Sequence, residues 1–370
     1  MLIGVPKEIK NNEFRVGMTP ASVREAVAHG HQVITETNAG CGIGANDEAY
    51  TQAGAEIAPD AATVWAKADM VVKVKEPQPV ERQQVRAGQT LFTYLHLSPD
   101  EAQTQDLIKS GGTCIAYETV TSSSGDLPLL HPMSEVAGRM SIQAAAHTLE
   151  CNGGGRGMLL GGVPGVAPAK VTIIGGGTVG ANAAMMAIGA GADVTILDKS
   201  NTTLRALNAR FGPRVKTVYS NSETLEQHVI EADVVVGGVL IPGANAPKVV
   251  SENMVKAMQA GSVIVDVAID QGGCVETIRP TTHSDPTYVV HDVVHYAVTN
   301  MPGAVPHTST YALNNATLPF ILALADKGPD QAMKDDPHLL AGLNVYQGKV
   351  TCKAVADAQG LKYINAEDLL

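Results

Sequence analysis

KVTIIGGGTVGANAAMMAIGAGADVTILDKS, residues 170–200, decides the fold. A β-branched run, VTII, meets three glycines. An Ala- and Met-rich segment comes next, then a second apolar run, DVTIL. The order is strand, glycine turn, helix, strand. Gly175, Gly177 and Gly180 satisfy G-x-G-x-x-G, a spacing that a glycine-rich chain meets easily. Its place between a strand and a helix is what makes it a dinucleotide fingerprint. Gly175 permits the tight turn and Gly177 lets the backbone approach a pyrophosphate. Gly180 lets the helix pack on the strand, and the helix N-terminus faces the phosphate charge. Asp198 closes DVTIL, 23 residues beyond Gly175, where an acid takes the ribose hydroxyls. Its charge favours NAD over NADP, because a 2′-phosphate would be repelled; Lys199 beside it softens that preference.

The same rhythm extends outward on both sides. Downstream, RVKTVY (214–219), ADVVVGG (232–238) and GSVIVDVA (261–268) read as strands of a sheet covered on both faces. Upstream, NGGGRGMLLGGVPGVAPA (152–169) is a loop by composition, and 132–150 is a long helix opened by Pro132. Further back, LIGV (2–5), HQVITET (31–37), DMVVKV (69–74), TLFTYL (90–95) and TCIA (113–116) read as strands. Helical stretches are expected at 20–28, 47–66 and 99–110. Thr19-Pro20 is an N-cap followed by an N1 proline. This βαβα alternation predicts a parallel sheet with helices on its faces. The tail differs. Residues 308–328 predict a long apolar helix that Pro319 should kink or break. The residues beyond 328 are too few for a domain and are expected to pack back on the first unit.

Composition excludes several functions. Hydrophobic residues make up 45 % and charged residues 17 %, so the chain is no disordered polyelectrolyte. Net charge is −11, without a basic block, which argues against a nucleic-acid partner. No apolar run approaches the roughly 18–20 residues of a membrane span. MLIGVPKEIK lacks the apolar core of a signal peptide. The cysteines, Cys41, Cys114, Cys151, Cys274 and Cys352, form no CxxC pair, as in reduced cytosolic proteins.

Candidate chemistry clusters at strand ends, where open α/β sheets bind ligands. Arg15 lies in the polar loop KNNEFRVGMTP. Lys73 and Lys75 alternate with valines and are expected on one strand face, Lys75 nearer the C-terminal end. His96 ends TLFTYLH. Arginine, in bidentate fashion, and lysine can hold a small carboxylate, and histidine can exchange a proton near neutral pH. Asp270 follows SVIVDVAID before a glycine turn and can reach a nicotinamide-side cleft, whereas Asp266 reads as structural. His291 and His295 are four apart in YVVHDVVHYAV, but β-branched neighbours suggest strand or irregular structure, and nothing completes a metal ligand set. No metal is expected.

With these residues placed, the chain closely resembles the family of alanine dehydrogenases and NAD-binding transhydrogenase subunits, essentially end to end. The resemblance rests on IGVPKEIKNNEFRVGMTP (3–20), MVVKVKEP (70–77), LFTYLHL (91–97), PMSEVAGRMSIQ (132–143), LLGGVPGVAPAKVTIIGGGTVG (159–180), VIVDVAIDQGG (263–273) and AVTNMPGAVPHTST (297–310). It implies NAD-linked oxidative deamination of L-alanine to pyruvate and ammonium, and the reverse. It implies that Arg15 and Lys75 bind substrate and that His96 and Asp270 are the acid/base pair. Cofactor positions carried over are Ser134, Gly175, Gly177, Thr178, Val179, Gly180, Asp198, Ser220, Val239, Leu240, Val267, Ala268, Ile269, Asp270, Arg279, Val298, Asn300 and Met301. Thr203 departs from the pattern, which often has lysine there. The implied architecture is α/β, with two doubly wound Rossmann-like domains joined by two long helices at 132–150 and 308–326. The catalytic domain would be discontinuous, 1–130 plus 305–370, and the NAD-binding domain would span 131–304. A cytoplasmic homohexamer is implied too. Competing expectations are a transhydrogenase subunit, a silent NAD sensor, and a saccharopine dehydrogenase of shared architecture. The set Arg15, Lys75, His96 and Asp270 favours an enzyme that uses a free substrate.

Overall fold

A computed structural model describes residues 1–239 and 246–370. The chain divides into two compact units, Met1–Met133 with Val305–Leu370, and Ser134–Ala304. Each is an α/β unit built on a mainly parallel sheet.

In the first unit β1 (Leu2–Val5), β2 (Gln32–Glu36), β3 (Glu56–Ala58), β4 (Met70–Val72), β5 (Thr90–Thr93) and β6 (Thr113–Ala116) lie in the order β3-β2-β1-β4-β5-β6, all parallel. The order reverses between β1 and β4, which makes a switch point, and ligands bind beyond the strand ends there. β4, β5 and β6 are buried throughout, so their apolar runs need cover on both faces. Thr19 caps the Pro20–Ala28 helix by accepting from the Ser22 amide. The stretch 47–66 is not one helical run. Asn46 and Asp60 cap two short helices, Asp47–Gln52 and Ala61–Lys67, with β3 between them. β4 stops at Val72, so Lys73 and Lys75 lie beyond the strand rather than on one of its faces.

In the second unit β7 (Lys170–Ile174), β8 (Asp193–Asp198), β9 (Lys216–Tyr219), β10 (Val234–Gly237), β11 (Val263–Asp266), β12 (Thr287–Val290) and β13 (Val293–Tyr296) lie in the order β9-β8-β7-β10-β11-β13-β12. Among the described residues, the β12–β13 hairpin is the one antiparallel pair of this sheet. Alternate residues feed two cores. Val171, Ile173, Val234, Val236, Val263 and Val265 pack on one face. Ile174, Leu197, Val235 and Ile264 pack on the other. The switch point falls between β7 and β10, at the glycine turn.

The chain then returns to the first unit. β14 (Leu343–Tyr346) pairs antiparallel with β6, and β15 (Lys349–Val350) pairs with β14. The Pro306–Lys327 helix is a single element with Pro319 inside it. Of the kink or break expected there, a break is absent. Pro319 and Asn315, whose carbonyl loses its partner, are both exposed, so water can replace the lost bond. The other long helix is His131–Thr148.

Candidate active site

In the first unit, the loop before the Pro20–Ala28 helix is pinned to the Pro306–Lys327 helix. Buried Asn314 accepts from the Thr19 amide at 2.9 Å and donates to the Gly17 carbonyl at 2.5 Å. A Cβ on Gly17 would lie 2.2 Å from the Val72 carbonyl oxygen, so this loop runs against the end of β4. Arg15 is thereby buried, at 2 % exposure, where a solvated surface charge would be wide open. Its Nε and Nη2 donate to the two carboxylate oxygens of Glu13 at 2.7 and 2.6 Å, and Nη1 lies 3.0 Å from Met133 Sδ. Burial pulls the guanidinium pKa down, but Glu13, with Tyr94 and Glu8 adding to it, more than offsets that and holds it up. Glu13 thus takes the edge of the fork expected for a ligand.

Past β4, Glu8 organises the chain. Its Oε1 accepts from the Val74 amide at 2.7 Å and the Lys75 amide at 3.4 Å. Its Oε2 takes the Lys73 ammonium at 3.1 Å, which also reaches Glu81 at 2.7 Å. Lys73 is therefore a buried structural cation, while Lys75 is only half-buried. The Lys75 carbonyl accepts from the Thr93 hydroxyl, tying it to the end of β5.

His96 follows β5 with φ +50°, the left-handed region, which costs a non-glycine residue about 1–3 kcal/mol. Glu118, two residues past β6, accepts from the His96 amide at 2.6 Å and the Leu95 amide at 3.2 Å, and lies 3.9 Å from His96 Nδ1. The imidazole stacks on Tyr94, with ring centroids 5.8 Å apart and planes at 9°. Tyr94 is buried and donates to the Leu129 carbonyl. Burial raises its phenol pKa, and Arg15 opposes that rise. The Tyr94 amide donates to the Val74 carbonyl at 3.3 Å, beside Lys75, and the loop that carries Arg15 runs against Val72 at Gly17, two residues before Val74. The three predicted residues of this unit form one neighbourhood. Sequence reasoning misses Glu8, Glu13, Tyr94 and Glu118. Glu13 stands two residues before Arg15, and Glu118 just past a strand end, which are the signals that could have found them.

In the second unit, Gly175 has φ +97°, and a Cβ on Gly180 would lie 1.9 Å from the Gly175 carbonyl oxygen. Nothing lies within 4 Å of a Cβ placed on Gly177, which precedes the Thr178–Gly189 helix without a side-chain cap. The first amides of that helix, around Thr178 and Val179, are left to an anion. Asp198 ends β8; its Oδ2 accepts from the Gly176 amide and its Oδ1 from the Ser200 amide, both at 2.7 Å. Each oxygen keeps a lone pair for a diol. The Ser220 amide binds the Asp198 carbonyl, bringing Ser220 alongside. A Cβ on Gly138 would lie 2.3 Å from the Val179 carbonyl oxygen, so the helix carrying Ser134 packs tightly on this turn. The donor set and the open cradle fit a dinucleotide diphosphate and ribose.

At the end of β11, Asp266 is buried and caps the next turn. It accepts from the amides of Ala268, Cys274 and Val275. It orders the Val267–Gln271 turn, where Ala268 and Ile269 are buried and Asp270 is exposed. Asp270 Oδ1 accepts from the Asn300 amide at 3.3 Å; Asn300 has φ +62°. Val298 and Met301 belong to the core, so they can offer a ligand only backbone groups. Arg279 is exposed over the Tyr288 ring at 4.0 Å. Val239 is half-buried just past β10, and Leu240 lies outside the described residues. His291, in the β12–β13 turn, pairs with Glu252, and His295, in β13, with Thr277. They are not a helical metal pair. Among the described residues no three His, Cys, Asp or Glu side chains group as metal ligands.

Known proteins resemble this chain in sequence and fold. The family model described as alanine dehydrogenase/PNT, N-terminal domain, matches residues 4–137, and the C-terminal domain model matches residues 141–353. The alanine dehydrogenase of Halomonas elongata is 58 % identical over 370 residues, covering 100 % of both chains. A solved L-alanine dehydrogenase structure has a TM-score of 0.95 at 54 % identity, covering 97 % of this chain and 99 % of that one. A transhydrogenase structure from Sinorhizobium meliloti has a TM-score of 0.82 at 24 % identity, covering 96 % of this chain and 100 % of that one, a likeness of fold alone.

Proposed function

Because the chain belongs to the alanine dehydrogenase/PNT family, we propose that it interconverts L-alanine and pyruvate with NAD: alanine, NAD⁺ and water give pyruvate, ammonium, NADH and a proton. The observation that carries this reading is the neighbourhood of Arg15, Lys75 and His96 at the strand ends of one unit, in a chain whose other unit has an open glycine cradle. Cation and imidazole suit an α-amino or α-keto acid.

NAD, when bound, supplies the hydride-accepting carbon of its nicotinamide. Gly175, Gly177, Thr178, Val179 and Gly180 would hold its diphosphate, Asp198 its ribose, and Ser134, Ser220, Arg279 and Asn300 its flanks; Val239, Val267, Ala268, Ile269, Val298 and Met301 would complete the lining. Arg15 binds the alanine carboxylate through the part of its guanidinium turned from Glu13, and stays charged because Glu13 compensates its burial. Lys75 orients the oxygen of the keto or carbinol form. Oxidation at Cα leaves the imino acid, to which water adds. His96 takes a proton from that water through its ring nitrogen. Asp270 holds or returns the proton that the leaving ammonia needs. Each contribution is of order 10²–10⁴ in rate. One methyl separates alanine from glycine, so glycine should turn over only about 10–200-fold less efficiently.

The test is NADH formation from NAD with L-alanine, beside D-alanine and L-lysine. Reduction with L-alanine alone, lost in H96A and D270N, supports the reading. No reduction by a folded, NADH-binding protein overturns it. The assembly we propose is a cytoplasmic homohexamer; light scattering on the purified chain checks its mass. Among the described residues no helix is long and apolar enough to cross a membrane. All five cysteines are unpaired, in keeping with a reducing compartment.

A further inference from the structure

We infer that Glu118 is the positioning residue for His96, and that through His96 it sets the turnover rate. This rests on the reading above, in which His96 moves the proton. Three observations meet at this one carboxylate. First, His96 is a β-unbranched, side-chain-bearing residue held at φ +50°, a conformation that persists only where the surroundings over-determine it. Second, the groups that over-determine it are hydrogen bonds to Glu118. The His96 amide donates to Oε1 at 2.6 Å and the Leu95 amide to both oxygens at 3.2 Å, so two successive peptides are clamped where the chain leaves β5. Third, the same oxygen that holds the His96 backbone lies 3.9 Å from its Nδ1. On the ring's flat side stands Tyr94, stacked beside the imidazole and itself fixed by its bond to the Leu129 carbonyl.

A histidine at a strand end can swing away through its backbone or about its χ angles. The clamp removes the first freedom, and the stack with the nearby carboxylate restrains the second. The side chain of His96 is 46 % exposed, so packing alone does not hold it, while Glu118 is 15 % exposed and rooted in the turn after β6. Two neighbouring parallel strands therefore bring an acid and a histidine together. β5 carries the group that reacts, and β6 carries the group that aims it. Because Glu118 is assigned no contact with substrate, its removal acts on the chemical step and not on the binding of alanine or dinucleotide.

The experiment is a double-mutant cycle on the full-length protein with E118A, H96A and the double variant, and with NADH affinity followed separately by its fluorescence. E118A is expected to lower kcat about 10–100-fold, the scale on which an ångström of misplacement costs rate. The KM for L-alanine and the Kd for NADH should stay within about twofold of wild type. E118Q, which retains an acceptor oxygen for the His96 amide, should recover part of the loss. In the H96A background E118A should cost nothing further, because the group it aims is gone. An E118A loss as large in H96A as in wild type would assign Glu118 a general structural role and overturn the inference. Unchanged kcat in E118A beside a large loss in H96A would overturn it while leaving the functional reading intact. Full turnover in H96A would overturn both. Should E118A fail to fold, the isosteric E118Q runs the same cycle.

Discussion

Arg15 is buried together with its own counter-charge. A guanidinium taken out of water without a partner would cost several kcal/mol, and Glu13, itself buried, offsets that cost by filling one edge of the fork. Lysine cannot bridge both oxygens in that plane. R15K should therefore lower kcat/KM for L-alanine about 10–100-fold, the equivalent of a charged hydrogen bond, chiefly through KM. Steady-state kinetics with alanine as the varied substrate checks this, and an unchanged KM would remove Arg15 from carboxylate binding. The thiols make a second test at this scale. Burial pushes Cys114 up to about 12, so about one molecule in ten thousand carries its thiolate at pH 8. Burial, with Asp266 beside it, raises Cys274 well above the usual range. Iodoacetamide at pH 8 should label exposed Cys41 and Cys151 in the folded protein and spare Cys114 and Cys274 until denaturant is added. Peptide mass spectrometry reads the sites.

The β12–β13 hairpin shows an element that depends on one neutral ring. His295 is buried in β13, within bonding distance of the Val293 carbonyl through Nδ1 and the Thr277 hydroxyl through Nε2, and stacked on Tyr288. The carbonyl can only accept, so Nδ1 donates to it, and in the neutral ring Nε2 accepts from the Thr277 hydroxyl. Burial lowers its pKa from the ordinary 6.5. The unfolded chain then binds the proton first as pH falls, so stability is lost on acidification below about 6.5, by at most about 1.4 kcal/mol per pH unit for this one group. H295Q should show a shallower fall of Tm between pH 6.5 and 5 than wild type; parallel curves would remove His295 as the cause. Elements also differ in how far they can be read ahead. β7, the glycine turn and β8 are legible because their signals are local: a β-branched run, a left-handed Gly175 and an acid at the strand end. β3 is not, since Glu-Ile-Ala is too short to alternate and sits among alanines that suit a helix. β4 reads too long because Lys73 follows valines, and only the distant Glu8 and Glu81 show why that lysine turns inward. Pro319 reads as a kink or a break, yet the helix runs on through it, because the solvent side of a long helix tolerates the missing amide. For the site, positions near strand ends can be named, and Glu13 and Glu118 leave the local signals of an arginine two residues on and a strand end, but Glu8 acts on residues about 65 positions away, which no spacing encodes.

At the scale of the whole molecule, binding and stability are one quantity. A ligand that binds only the folded chain stabilises it by about 2.7 kcal/mol at 100 times its Kd. Wild-type protein should show that gain with NADH as a rise in Tm. D198A removes the acid that orders Gly176 and that we propose holds the ribose, so at the same NADH concentration it should gain less than about half as much. Equal shifts in scanning calorimetry would take Asp198 out of the dinucleotide site. The order of the chain adds a consequence for its birth on the ribosome. β6 is paired with β5 on one side, but its other edge waits for β14, about 230 residues later. At about 5–20 residues per second that wait lasts roughly 10–45 s. The stretch from 134 to 304 emerges whole during that interval and has every strand of its own sheet at hand. Vectorial synthesis should thus finish the inserted unit before the unit that began first, leaving an open β-edge on the nascent chain that invites a chaperone or a neighbouring chain until the last residues arrive.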